Sequence, residues 1–327
     1  MPILDASDFQ PSRKYRSAHY STLVPYLFGS FPKIEFRRER IDTADGDFLD
    51  IDYAGSGSKK LAVILHGLEG NSSASYNLLS GTKFLEKGWD LACPNYRGCS
   101  GELNRRFQMY NSGTTDDLDL VLRHVTHGYE TVSVIGISLG GNLVLKYAGE
   151  GVYEIPKNVH SFVSVSAPVH LSNASQALKK RENWIYQWNF LRTLLWKVYR
   201  KSKQFPGRID TSKIWKTTNL FLFDEYFTAP MFGYASAEDY YSACMSIQFL
   251  DEINIPTLLL NAQNDPFLGD LCFPYEIADR SSHFHLCAPA YGGHVGFAYA
   301  RNDRSYLVQR ISSFVDQYVP SSVLSTD

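Results

Sequence analysis

The stretch Thr131-Val-Ser-Val-Ile-Gly-Ile-Ser-Leu-Gly-Gly-Asn-Leu-Val-Leu-Lys-Tyr-Ala-Gly149 decides the fold of this chain of 327 residues. Its β-branched start predicts a buried strand, and the apolar spacing from Leu139 to Ala148 predicts a helix. Between them lies a Gly-x-Ser-x-Gly turn centred on Ser138, which would lift the serine hydroxyl above the sheet. The pattern by itself also fits a glycine-rich turn with an exposed serine. Because a strand enters the turn and a helix leaves it, we expect Ser138 to be a nucleophile.

The bulk composition is that of an ordinary soluble globular protein, with 44% hydrophobic and 20% charged residues and a net charge of −2. This charge gives no argument for a nucleic-acid partner, and we expect none. Five scattered cysteines indicate reduced thiols rather than a disulfide framework. The N-terminus lacks the features of a secretory signal, and no apolar run approaches the ~20 residues that span a bilayer. We therefore expect a cytoplasmic protein.

Strand and helix patterns alternate along most of the chain. Strands are predicted at 61–65, 89–93, 132–135 and 159–166, and the pattern resumes at 256–261 and 284–288 before a closing helix at 304–318. This alternation predicts an α/β fold with a mostly parallel central sheet and helices on both faces. Strand-like alternation at 34–41 and 48–53, around a turn at 44–46, predicts an antiparallel hairpin.

Residues 168–245 interrupt the alternation and predict a helical cap inserted into the core. The core then consists of 34–167 and 246–327. Residues 1–33 are expected to form an irregular N-terminal extension packed on the body, with no assigned chemistry.

The predicted cap is both aromatic and basic. Four of the five tryptophans lie in it, and between positions 179 and 203 there are eight basic residues against one acidic residue. These charges fit either a solvated helix face or a lid that contacts an amphiphilic substrate or a membrane surface. A helical stripe is predicted for Trp184, Trp188, Leu191, Leu195 and Val198. The aromatic content of the cap suggests a hydrophobic acyl pocket.

A serine nucleophile needs a neighbouring base, and the base needs an orienting acid. In folds with this turn the chain order is serine, acid, histidine. Asp265 lies in the loop after the strand at 256–261, at the carboxyl end where catalytic groups collect in parallel sheets. Asp270 is the rival acid, and an Asx turn is the structural alternative for Asp265. The base candidate is His294, which lies in a glycine-rich loop after the last strand.

An oxyanion hole requires two backbone N–H donors. We expect one from Leu139, the residue after the nucleophile, and the other from Leu68 in the loop after the strand at 61–65. His66, in the same loop, either orients it or fills the core. Arg97 and Cys99 lie in another loop at this edge, where they serve either the loop structure or contact with a substrate head group.

Taken together, the motifs resemble the YheT-like branch of the α/β-hydrolase superfamily, which includes the ABHD esterases and phospholipases and the fungal medium-chain ethanol acyltransferase/esterases. The matching segments are His66-Gly-Leu-Glu-Gly70, Pro94-Asn-Tyr-Arg-Gly-Cys-Ser-Gly-Glu102, Gly136-Ile-Ser-Leu-Gly-Gly-Asn142, Phe223-Asp-Glu-Tyr-Phe-Thr-Ala-Pro230, Gly233-Tyr-Ala-Ser-Ala237, Asp239-Tyr-Tyr241, Asn261-Ala-Gln-Asn-Asp-Pro-Phe267 and Gly292-Gly-His-Val-Gly-Phe297. The family pattern places its triad at Ser138, Asp265 and His294.

This resemblance implies an α/β-hydrolase fold and hydrolysis of carboxylic esters, sometimes with acyl transfer to an alcohol. We expect a serine esterase for short- to medium-length acyl chains, working through an acyl-enzyme. The alternatives are acyltransferase or phospholipase activity at the same site, or a binding protein that keeps the fold without catalysis. The chemistry needs no metal or organic cofactor. The expected partner is a small-molecule ester or lipid, with peripheral membrane contact through the cap left open and the oligomeric state undetermined.

Overall fold

Nine strands form a single sheet in the computed structural model, which describes residues 2–324. In chain order they are β1 Ile3–Leu4, β2 Arg37–Asp42, β3 Phe48–Ala54, β4 Lys60–Leu65, β5 Asp90–Asn95, β6 Thr131–Ile137, β7 Val159–Val165, β8 Thr257–Leu260 and β9 Phe284–Cys287.

The order across the sheet is β1-β9-β8-β7-β6-β4-β5-β3-β2. Every pair from β1 to β5 along this order is parallel, whereas β5 with β3 and β3 with β2 are antiparallel. The predicted hairpin is therefore the antiparallel edge of a mostly parallel sheet, and the predicted fold class is confirmed. Because all the parallel strands run the same way, their carboxyl ends and the loops that follow them meet at one edge.

Twelve α-helices accompany the sheet in the part of the chain that the structure describes. They are α1 Ala18–Phe28, α2 Ser75–Glu86, α3 Thr115–Val125, α4 Leu139–Gly149, α5 Leu171–Leu178, α6 Trp184–Gln204, α7 Leu220–Phe223, α8 Ala229–Phe232, α9 Ala237–Cys244, α10 Tyr275–Arg280, α11 Ser305–Asp316 and α12 Ser321–Leu324. No helix within residues 2–324 combines the length and the apolar character needed to cross a bilayer.

The central strands are buried on both faces, which explains why they are continuous apolar runs in the sequence. Along β4, Leu61, Val63 and Leu65 belong to one hydrophobic cluster, whereas Ala62 and Ile64 belong to another. The first cluster includes side chains of α3 and α4, and the second includes side chains of α2 and α11. Helices thus cover both faces of the sheet.

The expectation that residues 1–33 are irregular is wrong for two segments. Ile3–Leu4 pairs with β9, and α1 spans Ala18–Phe28. The Ser17 side chain caps α1 by accepting a hydrogen bond from the Tyr20 N–H. The helix escapes sequence analysis because Pro25 lies inside it, where the missing N–H and the ring normally disfavour a helix.

The predicted helix over the tryptophans is α6, but the predicted stripe is not its buried face. Leu191 and Val198 are buried, whereas Trp184 and Trp188 are 64% and 60% exposed. The residues that α6 buries are Tyr186, Gln187, Leu191, Leu194, Val198 and Lys201. The sequence pattern is misleading here because α6 carries large apolar residues on two different faces.

Candidate active site

Ser138 is the single residue between the end of β6 and the start of α4. Its backbone has φ 55° and ψ −115°, a conformation that is energetically unfavourable for any residue with a Cβ atom. The surrounding chain holds it there, because the Ser138 N–H donates to the Val165 carbonyl at 2.8 Å and the Ser138 carbonyl accepts from the Gly141 N–H at 2.9 Å. The result is a sharp turn at the carboxyl edge of the sheet, as the sequence predicts.

Gly136 and Gly140 make this turn sterically possible. A Cβ on Gly136 would lie 2.2 Å from the Gly140 carbonyl oxygen, and a Cβ on Gly140 would lie 2.7 Å from the His66 carbonyl oxygen. Both contacts are with backbone atoms, which cannot rotate away. Strand, helix and the loop after β4 therefore approach closely only because neither position has a side chain.

The structure brings Ser138, His294 and Asp265 into one hydrogen-bonded row. His294 Nε2 lies 3.0 Å from Ser138 Oγ, and His294 Nδ1 lies 2.9 Å from Asp265 Oδ2. Since a carboxylate only accepts, the proton of the neutral ring belongs on Nδ1, and Nε2 is left to accept from the serine hydroxyl. This is the geometry in which an imidazole can take the proton of a nucleophilic serine.

Asp265 combines the two roles that the sequence left as alternatives. Its Oδ1 accepts from the Phe267 N–H at 2.9 Å, an Asx-turn contact, while the carboxylate also holds His294. Asp265 is 4% exposed. The rival, Asp270, is solvent-exposed at the start of a 3₁₀ turn.

The loop that carries His294 is held by α1, a contact that sequence analysis missed. Thr22 Oγ1 accepts from the His294 N–H at 2.9 Å, and Ser21 Oγ donates to the Gly292 carbonyl at 2.8 Å. The glycine-rich loop lies against the helix so closely that a Cβ on Gly296 would be 2.3 Å from the Ser21 carbonyl oxygen. Helix α1 therefore positions the histidine, although nothing in the local sequence marks Ser21 and Thr22 as its partners.

Phe267 supports the ring of His294 from the other side. The two rings stack with their centroids 4.0 Å apart and their planes 24° apart. Phe267 in turn contacts Tyr186 of α6 at 4.8 Å between ring centroids. The candidate base is thus linked to α6 through Phe267, as well as to α1.

The residues expected to provide the two oxyanion donors both lie near Ser138. Leu139 is the first residue of α4, and both Leu139 and Leu68 line the same cavity as Ser138. The amides that flank Leu68 are anchored, because the Gly67 N–H donates to Tyr76 Oη at 2.9 Å and the Glu69 N–H donates to Tyr110 Oη at 2.9 Å. The loop is therefore fixed on both sides of the candidate donor, whose role stays a prediction.

Glu69 fixes this loop further and ties it to α6. Its backbone has φ 57°, a left-handed conformation that is uncommon for a residue with a Cβ. Tyr110 Oη donates to Glu69 Oε1 at 2.8 Å, and Lys197 Nζ of α6 donates to the same oxygen at 2.8 Å. Neither side chain of this ion pair is more than 12% exposed. Sequence analysis missed the cluster because its three members are far apart in the chain.

His66 both orients the loop and fills the core. It is fully buried, its Nδ1–H donates to the Gly67 carbonyl at 2.8 Å, and its Nε2 accepts from the Tyr96 N–H at 3.2 Å. Burial lowers the pKa of His66 from 6.5 to about 4. The ring is therefore neutral in the folded protein at physiological pH.

Arg97 and Cys99 serve the loop structure rather than a head group. Arg97 is buried and pairs with Asp117 through two hydrogen bonds of 2.8 and 2.7 Å, and with Asp45 at 2.7 Å. Burial raises the pKa of the Cys99 thiol to about 11, which keeps it protonated. Within residues 2–324, neither side chain lines the cavity beside Ser138.

A mostly apolar cavity opens beside Ser138 and His294 and comprises about 1040 Å³ of space, including its mouth. Phenylalanine and tyrosine provide its aromatic wall, whereas the tryptophans of residues 168–245 are exposed. The lining residues from segment 168–245 are Pro168, Leu171, Ala174, Ser175, Leu178, Phe190, Leu194, Leu220, Phe223, Asp224, Thr228, Met231, Phe232, Tyr240 and Tyr241. Such a wall suits an acyl chain more than a polar group.

One carboxylate interrupts the apolar wall. Tyr241 Oη donates to Asp224 Oδ2 at 2.7 Å, and Thr228 Oγ1 donates to Asp224 Oδ1 at 2.6 Å. Burial raises the pKa of Asp224 to about 6. The two hydroxyl groups stabilise the carboxylate form of Asp224 against this effect of burial.

Comparison with known proteins identifies the family of the chain. Residues 61–300 match the family model described as alpha/beta hydrolase fold. The chain belongs to the α/β-hydrolase family. It is 32% identical to the "Putative esterase YheT" of Escherichia coli (strain K12), over 96% of this chain and 94% of that protein. This similarity confirms the predicted YheT-like branch.

Other relatives of this α/β-hydrolase carry lipase names. It is 31% identical to the phospholipase ABHD3 of Homo sapiens, over 84% of this chain and 70% of that protein. It is also 27% identical to the monoacylglycerol lipase of Saccharomyces cerevisiae, over 93% of this chain and 67% of that protein. Among solved structures, the Pyrococcus furiosus esterase Pf2001 shares the fold with a TM-score of 0.57 at 16% identity, over 88% of this chain and 92% of that chain.

The hydrogen bonds around Glu69 predict that Tyr110 positions the loop after β4. In Tyr110→Phe, the Glu69 N–H loses its acceptor and the Glu69 carboxylate loses a donor, so we expect kcat for a soluble ester to fall about tenfold with KM little changed. Steady-state kinetics measure this. Tyr147→Phe is the matched control, because it removes a buried hydroxyl bound to Asp119 at 3.0 Å elsewhere. Equal rates for the two variants would contradict the positioning role.

The pKa of His66 predicts a loss of stability in acid. Between pH 6.5 and about 4 the unfolded chain binds a proton at His66 that the folded chain does not, so stability falls as pH falls. Between pH 7 and pH 4 this residue should cost about 3 kcal/mol of the free energy of unfolding. Urea unfolding at both pH values should therefore show a smaller acid loss for His66→Gln than for the wild type. The same loss in both proteins would show that His66 is not buried in its neutral form.

Proposed function

We propose that this α/β-hydrolase is a serine esterase that cleaves carboxylic esters with short- to medium-length acyl chains. The observation that carries the proposal is the row of 3.0 Å and 2.9 Å hydrogen bonds from Ser138 through His294 to Asp265, at the mouth of an apolar cavity. The esterase and lipase names of several relatives support the same reaction class.

In the proposed reaction, Ser138 Oγ attacks the ester carbonyl while His294 Nε2 takes the hydroxyl proton. Asp265 keeps the ring in the required tautomer and stabilises the imidazolium that forms. The N–H groups of Leu139 and Leu68 bind the oxyanion. When the tetrahedral intermediate collapses, His294 returns the proton to the leaving alcohol, and the acyl group stays on Ser138.

Water then resolves the acyl-enzyme by the reverse sequence of proton transfers. His294 takes a proton from water, the hydroxide adds to the acyl carbonyl, and Ser138 leaves with the proton restored. We further propose that residues 168–245 act as the cap over the acyl chain, because most of the cavity wall comes from that segment.

Acyl transfer is the second candidate, because an alcohol that reaches the same acyl-enzyme would replace water. Phospholipase activity is a variant of the same chemistry with a different leaving group, and the name of the ABHD3 relatives favours including it in the test.

Removal of the Ser138 hydroxyl tests the proposal. With p-nitrophenyl esters of increasing chain length, we expect Ser138→Ala to lower kcat by at least about 10³-fold, because the acyl-enzyme cannot form. Ser133→Ala is the control, since it removes a buried hydroxyl bound to Ser161 at the other end of β6. Wild-type activity in Ser138→Ala would refute the role of this serine.

Product analysis in the same assay separates the candidates. Added ethanol should give ethyl esters only if an alcohol competes with water for the acyl-enzyme, and phosphatidylcholine should give a free fatty acid only if a phospholipid fits the cavity. Free acid from p-nitrophenyl esters alone supports the esterase.

A further inference from the structure

The outer side of α6 exposes an unusual number of large apolar side chains. We define the α6 face as Trp184, Ile185, Trp188, Trp196 and Tyr199, which are 64%, 40%, 60%, 55% and 50% exposed. A further tryptophan of the insertion, Trp215, is 90% exposed. Trp and Tyr are the residues that favour a position between apolar and wet surroundings.

These five residues lie on one side of the helix. At about 100° per residue, their positions fall within an arc of roughly 120°. The buried side of α6 contributes Leu191, Leu194 and Val198 to the core. A helix that packs on a core normally carries polar residues on its outer side. Because α6 is apolar on both sides, its outer side is a candidate for contact with another apolar phase.

Cationic side chains are interleaved with the exposed rings. Arg192 lies over Trp188 at 5.7 Å from the ring centroid, and Arg200 lies over Trp196 at 4.8 Å. Lys203 lies over Tyr199 at 5.1 Å, and all three cations are exposed. The chain as a whole carries a net charge of −2, so this positive charge is local to α6.

Two other lysines of α6 do not belong to this surface. Lys197 pairs with Glu69, and Lys201 is fully buried with its Nζ donating to the carbonyls of Asn104 and Arg106. They hold α6 to the body of the protein. The cationic character of the α6 face therefore comes from Arg192, Arg200 and Lys203.

A second exposed apolar cluster lies on α1, the helix that supports the His294 loop. Tyr26, Leu27 and Phe28 at its end are 60%, 57% and 56% exposed. Helix α1 contacts α6 directly, because His19 Nδ1 lies 3.1 Å from Tyr186 Oη and the two rings stack. Both helices that enclose the candidate base thus carry exposed apolar residues.

We propose that the α6 face docks onto a lipid bilayer with anionic head groups. In this arrangement the indole and phenol rings lie at the boundary of head groups and acyl chains, and Arg192, Arg200 and Lys203 pair with lipid phosphates. A second copy of the chain is a poorer occupant, because a symmetric contact would bring six cations together. Charge complementarity thus favours an anionic membrane.

Docking would place the cavity close to the lipid. Phe190 and Leu194, on the inner side of α6, line the cavity beside Ser138. An acyl ester dissolved in the membrane would then be separated from the cavity by the thickness of a single helix. The binding itself requires no catalysis, so it can be measured in a protein that lacks the serine hydroxyl.

Vesicle sedimentation with the full-length Ser138→Ala protein tests the proposal without lipid turnover. We compare vesicles of phosphatidylcholine alone with vesicles in which about a third of the lipid is phosphatidylglycerol. The protein should bind the anionic vesicles and bind the neutral ones at least about tenfold more weakly. Binding should fall as salt rises. No binding to anionic vesicles would overturn the proposal.

Two variants of this protein test the assigned residues. Arg200→Glu/Lys203→Glu should lower partitioning into anionic vesicles at least about tenfold. Trp188→Ala/Trp196→Ala should lower it similarly and reduce any blue shift of tryptophan fluorescence on binding, which then comes from Trp184 alone among the tryptophans of the α6 face. The charge control is Lys59→Glu/Lys157→Glu, which reverses two exposed charges before β4 and β7, at the opposite edge of the sheet. An equal loss in this control would show that net charge, and not the α6 face, drives binding.

Further measurements separate this proposal from misfolding and from other partners. In the protein with Ser138 intact, both α6 variants should hydrolyse a water-soluble ester at the wild-type rate, which shows that they are folded and that only membrane contact is lost. If light scattering instead shows a concentration-dependent dimer that the tryptophan substitutions abolish, the face is a self-association surface and the proposal fails. Tighter binding to single-stranded RNA than to anionic vesicles would also overturn it.

Discussion

The left-handed backbone of Ser138 is the constraint on which the rest of the site depends. For a residue with a Cβ atom, such a conformation is unfavourable by on the order of 1–3 kcal/mol. It persists only if the surrounding structure enforces it. Here the enforcement comes from Gly136 and Gly140, whose missing Cβ atoms let β6, α4 and the loop after β4 meet at backbone contact. A side chain at either glycine would separate these elements.

The parallel sheet brings the other candidate site residues close to this turn. Strands β4, β6, β8 and β9 all end at the same edge, so the loops with Leu68, Ser138, Asp265 and His294 converge there although they are far apart in sequence. Each loop is then braced by a different neighbour. Tyr110 and Lys197 hold Glu69, Phe267 stacks on His294, and α1 binds the backbone of the histidine loop. These supporting contacts come from residues outside the strands of the sheet.

Sequence analysis succeeded where the signal is local or follows from topology. The strand-turn-helix around Ser138 is contiguous, and the rule that loops gather at the carboxyl edge identified Asp265 and His294 as its neighbours. It failed where a contact joins distant segments with no common pattern. Thr22 binds the His294 N–H across 272 residues, and Lys197 reaches Glu69 across 128. No periodicity in the sequence marks either pair.

The two apolar faces of α6 show a second limit of sequence analysis. Periodicity predicts a helix from the spacing of apolar residues, but it cannot choose between two apolar faces. The structure buries Leu194 and exposes Trp188, because the inner side must fill the cavity wall and the core. Likewise, a count of basic residues does not separate Lys201, which binds buried carbonyls, from Arg200, which faces solvent.

The most direct test of the central claim is the site of reaction with a fluorophosphonate. This reagent phosphonylates a serine only where a base withdraws its proton and an oxyanion is stabilised, which is what the row from Ser138 to Asp265 should provide. Intact-mass analysis followed by peptide mapping should show one adduct, on Ser138, which Asp265→Asn slows strongly. An unlabelled protein, or a label on another residue, would contradict the account.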